Sequence, residues 1–257
     1  MNRIQNIFKE RSEKLIPFIT AGFPNLDDTV NLVLTAEEAG ADMVEIGMPF
    51  SDPLADGPII QQASHVAIKN GVTIRWILDT VSKIREKSDI PIALMGYINP
   101  LIKYGFEKFV SDCSTAGVDG LIIPDLPPEE AGEYICLSKA NNISPILLVA
   151  PNTTNERIAE ISRMAGDLIY CVAILGITGT EGSTISKLKQ YLQRVEAHSQ
   201  CAYIVGFGIK ERTDVIQINE VAHGAVVGSA LIKEIEAGED VLLKLRGYVE
   251  NLKGKND

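Results

Sequence analysis

Short runs of β-branched and other apolar residues recur along this chain, each followed by a longer stretch in which apolar residues return every third or fourth position. The runs fall at 16–20, 43–47, 92–97, 120–124, 146–150, 168–173, 202–207 and 224–228. The run around Glu45 reads as a short buried strand. Between the runs, the segments 27–38, 74–87, 128–140, 156–164, 183–197 and 232–251 carry the spacing of amphipathic helices. Eight strand and helix alternations predict an α/β fold, a closed parallel (β/α)8 barrel of the TIM type, with one domain over 1–257. An open doubly wound sheet would have fewer strands and a Gly-rich fingerprint after the first, and Gly22-Phe23-Pro24 is no such fingerprint.

Composition narrows the partners. The 24 Lys and Arg against 34 Asp and Glu leave a net charge of −10, which argues against a broad nucleic-acid or anionic-membrane surface. Any anionic ligand is then expected to be held by local backbone donors. Residues 1–14 mix charged and polar residues with isolated apolar ones, so no signal peptide is expected. No segment offers about twenty consecutive apolar residues for a membrane span. Cys113, Cys136, Cys171 and Cys201 are far apart, without a CxxC pair, and read as reduced thiols of a cytoplasmic protein. His65, His198 and His223 are equally scattered, and no metal-ligand spacing is present.

The most informative stretch runs from Val44 to Gly57, VEIGMPFSDPLADG. It sets Glu45 inside an apolar run, and Glu is rarely buried without a partner. Desolvation would raise its pKa and fit it for proton transfer near neutrality. A structural carboxylate paired with Arg or Lys is the alternative. Asp52 and Asp56 follow on a loop punctuated by Pro and Gly, which is where chemistry sits in such barrels, beyond the C-terminal ends of the strands. Asp52, between Ser51 and Pro53, suits a turn or a partner contact. The run from Asp125 to Glu130 reads as a helix start with acids in its first turn, and turn and functional roles for Asp125 are level.

Two further patterns suggest a ligand. Gly206-Phe207-Gly208 and Gly228-Ser229 follow the seventh and eighth runs, where barrels hold phosphate groups with glycine amides and a short helix N-terminus. Leu175 to Thr184 is rich in Gly, Ser and Thr and reads as a lid able to close over substrate. No lysine lies within a predicted strand, so Schiff-base chemistry inside the barrel is not expected. Acid/base chemistry remains open if the substrate supplies its own electron sink.

These motifs, in this order, resemble the alpha-subunit family of tryptophan synthases over essentially the full length. Supporting segments are 17–22 (PFITAG), 96–100 (GYINP), 121–127 (LIIPDLP) and 176–179 (GITG), together with the Glu45 to Gly57 stretch and the two glycine pairs. The resemblance implies retro-aldol cleavage of indole-3-glycerol phosphate to indole and glyceraldehyde 3-phosphate. It implies that Glu45 protonates indole C3 and takes part in deprotonating the glycerol hydroxyl, while Asp56 pairs with the indole N–H. It implies an indole pocket of Phe18, Tyr97, Ile123 and Tyr170, with Thr178 bonding Asp56 on lid closure. Phosphate would rest on Gly179, Gly208, Gly228 and Ser229. No cofactor is implied in this chain. A pyridoxal-phosphate beta subunit would receive indole in an α2β2 heterotetramer. One departure is that Ala173 and Ile174 are apolar, where family members more often carry Ser and a polar residue. A stand-alone lyase and a catalytically weak activator subunit are the alternative readings.

Overall fold

All eight apolar runs become strands: β1 (Leu15–Thr20), β2 (Val44–Gly47), β3 (Ile92–Met95), β4 (Gly120–Ile122), β5 (Ser144–Val149), β6 (Leu168–Val172), β7 (Ala202–Gly206) and β8 (Gly224–Val227). The computed structural model describes residues 2–172, 181–206, 208–236 and 240–255. Each strand is parallel to its neighbours and β8 returns to β1, which closes the barrel. Closure leaves no exposed sheet edge. Strands buried on both faces explain why the sequence shows continuous apolar runs: all six residues of β1 are buried, for example.

The helices are α1 (Arg3–Ile7), α2 (Asp28–Ala39), α3 (Pro58–Lys69), α4 (Ile74–Arg85), α5 (Ile98–Tyr104), α6 (Phe106–Ala116), α7 (Gly132–Ala140), α8 (Asn155–Ala165), α9 (Glu181–His198), α10 (Arg212–Asn219), α11 (Ser229–Glu236) and α12 (Val241–Lys253). Local chemistry sets several ends. The Thr73 and Thr154 hydroxyls accept the backbone N–H groups of Trp76 and Arg157, capping α4 and α8. Gly40 and Gly117 close α2 and α6 in the left-handed conformation.

Three of the boundaries that differ from the sequence expectation have a clear local cause. The run 92–97 stops as a strand at Met95, because Tyr97 is already the N-cap of α5. The expected helix at 128–140 begins only at Gly132; Pro127 and Pro128 instead open turns whose carbonyls accept the N–H groups of Glu130 and Ala131. The expected helix at 232–251 is two helices, with Asp240 in the left-handed region (φ 63°) at the start of α12, a conformation a continuous right-handed helix cannot contain.

The bottom of the barrel is closed by α1, a role that no motif in residues 1–14 signals. Ile4 is fully buried, and Gly120 leaves room for it: a Cβ there would lie under 3.0 Å from the Ile4 and Ile146 side chains. Asn2 caps this helix and donates through Nδ2 to the Asp119 carbonyl and the Ser144 hydroxyl, at 3.0 and 2.8 Å. Beside it the buried Asp119 carboxylate pairs with Arg85 at 2.6 Å and Arg3 at 3.2 Å, and accepts the Ile92 N–H at 2.9 Å. This end of the molecule is built for closure, and the open end faces the βα loops.

Candidate active site

Register decides which side chains enter the barrel mouth. Glu45 on β2 pairs with Phe18 on β1 and with Ala93 on β3, so Glu45 and Phe18 share the inward face. On the far side Tyr170 of β6 lies two residues before Val172, which pairs with Gly206 of β7. These residues wall a cavity of about 440 Å³, which also receives Asp56, Gly57, Gly208, Gly228 and Ser229 from the loops. Its size suits a small organic substrate.

Two glycines make room for the aromatic walls. A Cβ at Gly47 would fall under 3.0 Å from the Phe18 ring, and one at Gly206 under 3.0 Å from the Tyr170 hydroxyl. The rings therefore lie directly against the backbone of adjacent strands.

Glu45 is 1 % exposed, and neither carboxylate oxygen has a hydrogen-bond partner. Among the described residues no cation pairs with it, so the structural ion-pair reading of this acid does not apply. Burial, with a smaller contribution from the nearby Asp56 charge, pushes its pKa up to about 8. Burial also raises Asp56, but a hydrogen bond from the Tyr97 hydroxyl opposes this, and the value is about 6. The cavity thus holds one carboxyl that is protonated at pH 7 and one that is mainly ionised. Environment has separated two chemically similar groups into an acid and an anion.

The loop bearing Asp56 is held at several points. The Asp56 N–H donates to the Pro53 carbonyl at 3.1 Å, and Gln61 Nε2 donates to the Asp56 carbonyl at 2.9 Å. The Ala55 N–H donates to the Tyr97 hydroxyl at 2.9 Å. Asp125 also supports the rim, since its Oδ1 accepts the Ile98 N–H at 3.0 Å and ties the loop after β4 to the start of α5. Asp52 lies exposed on its loop and accepts the Ser51 hydroxyl at 2.5 Å.

Of the residues singled out from sequence, Phe18, Glu45, Asp56, Tyr170, Gly208, Gly228 and Ser229 meet at the cavity. Tyr97 stands behind Asp56 and lines a smaller neighbouring cavity. Ile123 is buried but does not line the main cavity; Pro124, the next residue, does. The alternation explains this. Ile122 pairs with the cavity-lining Met95, so Pro124 shares its phase and Ile123 points the other way. Thr178, Gly179, Ala173 and Ile174 lie outside the described residues. Glu181 to Thr184, read as the end of the lid, form the first turn of α9.

Sequence reading missed Met95, Leu148, Ile60, Lys210 and Lys233 on the cavity wall. Met95 and Leu148 share the inward face through their register with Gly47 and Tyr170 on the neighbouring strands, which one strand's own alternation does not give. Ile60 and the lysines come from α3, the β7 loop and α11, and no strand pattern points to them. Among the described residues no group of three or more His, Cys, Asp or Glu could hold a metal ion, and no helix is long and apolar enough to cross a membrane.

Comparison with known proteins agrees with this architecture. A chain from Petrotoga mobilis called tryptophan synthase alpha chain is 44% identical, covering 98% of this chain and 99% of its own length. One of the same name from Caldanaerobacter subterraneus is also 44% identical, over 98% and 99%. The crystal structure of tryptophan synthase subunit alpha from Legionella pneumophila superposes with a TM-score of 0.92 at 34% identity, covering 100% of both chains. The tryptophan synthase complex from Pyrococcus furiosus gives 0.87 at 35% identity, over 95% of this chain and 99% of that one. The family model described as tryptophan synthase alpha chain matches residues 4–254, and the chain belongs to that family.

Proposed function

We propose that the cavity cleaves indole-3-glycerol phosphate to indole and glyceraldehyde 3-phosphate, with Glu45 and Asp56 as the catalytic carboxylates. The observation that carries this reading is a buried, unpartnered Glu45 on one cavity wall with Asp56, burial pushing the first pKa up to about 8 and the second to about 6. A buried, protonated Glu45 donates its proton to indole C3. The ring becomes an indolenine whose N–H carries positive charge, and the ionised Asp56 stabilises it electrostatically in a site shielded from water. The Glu45 carboxylate then takes the proton of the hydroxyl on the adjacent glycerol carbon. The C–O bond becomes a carbonyl, the C–C bond to indole C3 breaks, and its electrons flow into the imine to restore indole. Glu45 ends protonated, as it began, and no external acid or oxidant is consumed.

The substrate is thus its own electron sink. This suits a barrel whose strands contain no lysine, and the lysines at the cavity rim are exposed rather than desolvated. Phe18 and Tyr170 supply the apolar walls for the indole ring. The phosphate lies against Gly208, Gly228 and Ser229, at the start of α11, where first-turn N–H groups have no intrahelical acceptor. Gly228 caps that helix, its carbonyl accepting the Ile232 N–H at 3.0 Å.

A partner subunit is part of this reading. The Pyrococcus furiosus relative is described as an α2β2 complex with mutual activation. Here Leu54, on the loop that carries Asp56, is 93% exposed, and Ile102 of α5 is 62% exposed. Large aliphatic side chains so placed at the active end favour docking of a pyridoxal-phosphate beta subunit that consumes the indole.

The test is indole release from indole-3-glycerol phosphate by the purified chain, alone and with a beta subunit, beside Glu45→Gln. Release that increases with the partner and is lost in the variant is the expected result. Unchanged turnover in Glu45→Gln would remove this residue from the mechanism.

A further inference from the structure

The phosphate end of the cavity carries a feature that glycine amides do not account for: Lys210 and Lys233 both line it, beside Gly208, Gly228 and Ser229. Building on the reaction proposed above, we propose that these lysines form a cationic collar that captures the substrate's phosphate dianion, governing binding and specificity for phosphorylated substrate rather than the chemical step.

Their placement follows from the fold. Lys210 is two residues after Gly208 in the loop leaving β7. Its N–H donates to Asp214 Oδ2 at 2.9 Å, and its carbonyl accepts the Tyr248 hydroxyl at 2.9 Å. The backbone is clamped, and the residue lines the cavity. Lys233 lies one helical turn after Ser229 on α11, so the two share a helix face. Helical side chains lean toward the N-terminus, which directs the lysine stem back toward Ser229 and the cradle.

Charge makes the arrangement informative. Lys108 and Lys253 are paired with Asp112 and Asp42. No ion pair ties the ammonium of Lys210 or Lys233 to a carboxylate among the described residues, although the chain carries a net charge of −10. Among the described residues, the acidic and basic side chains of the cavity wall are Glu45 and Asp56 from the β2 side and these two lysines from the β7 and β8 side. An acidic protein repels a dianion at long range, and a local reversal of sign at the mouth raises both the encounter rate and the bound population. Amide dipoles provide partial charges and close contacts, whereas the collar adds two full charges whose influence is sensitive to salt.

The experiment compares wild type with Lys210→Gln, Lys233→Gln and the double variant in the full chain. It measures indole-3-glycerol phosphate cleavage across a range of ionic strength, and inorganic phosphate binding by calorimetry. Each single change is expected to raise KM about fivefold and the double change more than tenfold, with kcat within about twofold. The salt dependence of kcat/KM should flatten, inorganic phosphate affinity should fall in step, and Lys→Arg at either position should restore all three. Cleavage of indole-3-glycerol lacking phosphate should not change. Unaltered KM and phosphate affinity in the double variant, or a loss confined to kcat, would overturn the collar. Lysine-dependent phosphate binding in a chain that releases no indole would uphold the collar and refute the reaction; indole release with lysine-independent KM would do the reverse.

Discussion

The backbone N–H of Ala55 donates to the hydroxyl of Tyr97 at 2.9 Å, joining the loop after β2 to the N-cap of α5 across 42 positions of sequence. The same hydroxyl is hydrogen-bonded to the Asp56 carboxyl and opposes the upward shift that burial imposes on it. One side chain therefore sets both the position and the ionisation of the anion proposed to stabilise the transition state.

Replacing Tyr97 with Phe removes both interactions while keeping the ring. The Asp56 pKa is expected to rise above about 6, so a larger fraction is neutral at pH 7. The acidic limb of the kcat/KM profile should move to higher pH, with turnover at neutrality down about tenfold. An unmoved limb would dissociate Tyr97 from the ionisation of Asp56.

The pH profile of the wild type follows from the two carboxyls. Glu45 must be protonated to donate, which fails as pH rises through about 8, and Asp56 must be ionised, which fails as pH falls through about 6. The expected kcat/KM is a bell with apparent limbs near these values, belonging to the coupled pair. Asp56→Asn should abolish the acidic limb and lower turnover at least ~10²-fold, as should Glu45→Gln, since each removes a group acting in the transition state. Rate profiles of the three proteins check this.

Glu45 also imposes a cost on folding. Its folded-state pKa of about 8 exceeds the ordinary value of 4.5. Below pH 4.5 the carboxyl is protonated folded or unfolded. Between 4.5 and 8 only the folded chain retains the proton against its tendency to ionise, and stability falls as pH rises through this window. Glu45→Gln is therefore expected to gain stability relative to wild type between pH 4 and pH 9, on the order of 5 kcal/mol. Urea unfolding of both proteins at the two pH values measures the difference.

At the opposite end of the barrel, Asp119→Ala should separate stability from chemistry. It leaves Arg85, a largely buried cation, and the Ile92 N–H without their carboxylate. A loss of about 3–5 kcal/mol is expected in urea unfolding, while kcat well below the melting temperature stays near wild type. A large fall in kcat for protein shown to be folded would indicate coupling through the barrel.

The eight strands are legible in the amino-acid order alone, because strands covered on both faces are mainly apolar and a closed parallel barrel gives every strand that burden. That order also marked Glu45, whose charge is out of place in such a run, and three glycines, of which Gly208 and Gly228 line the cavity and Gly206 makes room there for the Tyr170 ring. Ile123 shows the limit of reading one strand alone. Its phase was set by pairing with β3, which brought Pro124 to the cavity in its place. Tyr97, expected in the indole pocket, was placed behind Asp56 because β3 ends early and α5 begins there. Lys210 and Lys233 had no local signature, since a lysine on a loop or a helix reads as solvated surface. Only the return of β8 to β1 placed both at the same mouth as the carboxylates. Composition and periodicity act along the chain, whereas the sorting of acids from bases within the cavity depends on distances between segments, and these exist only once the barrel has closed.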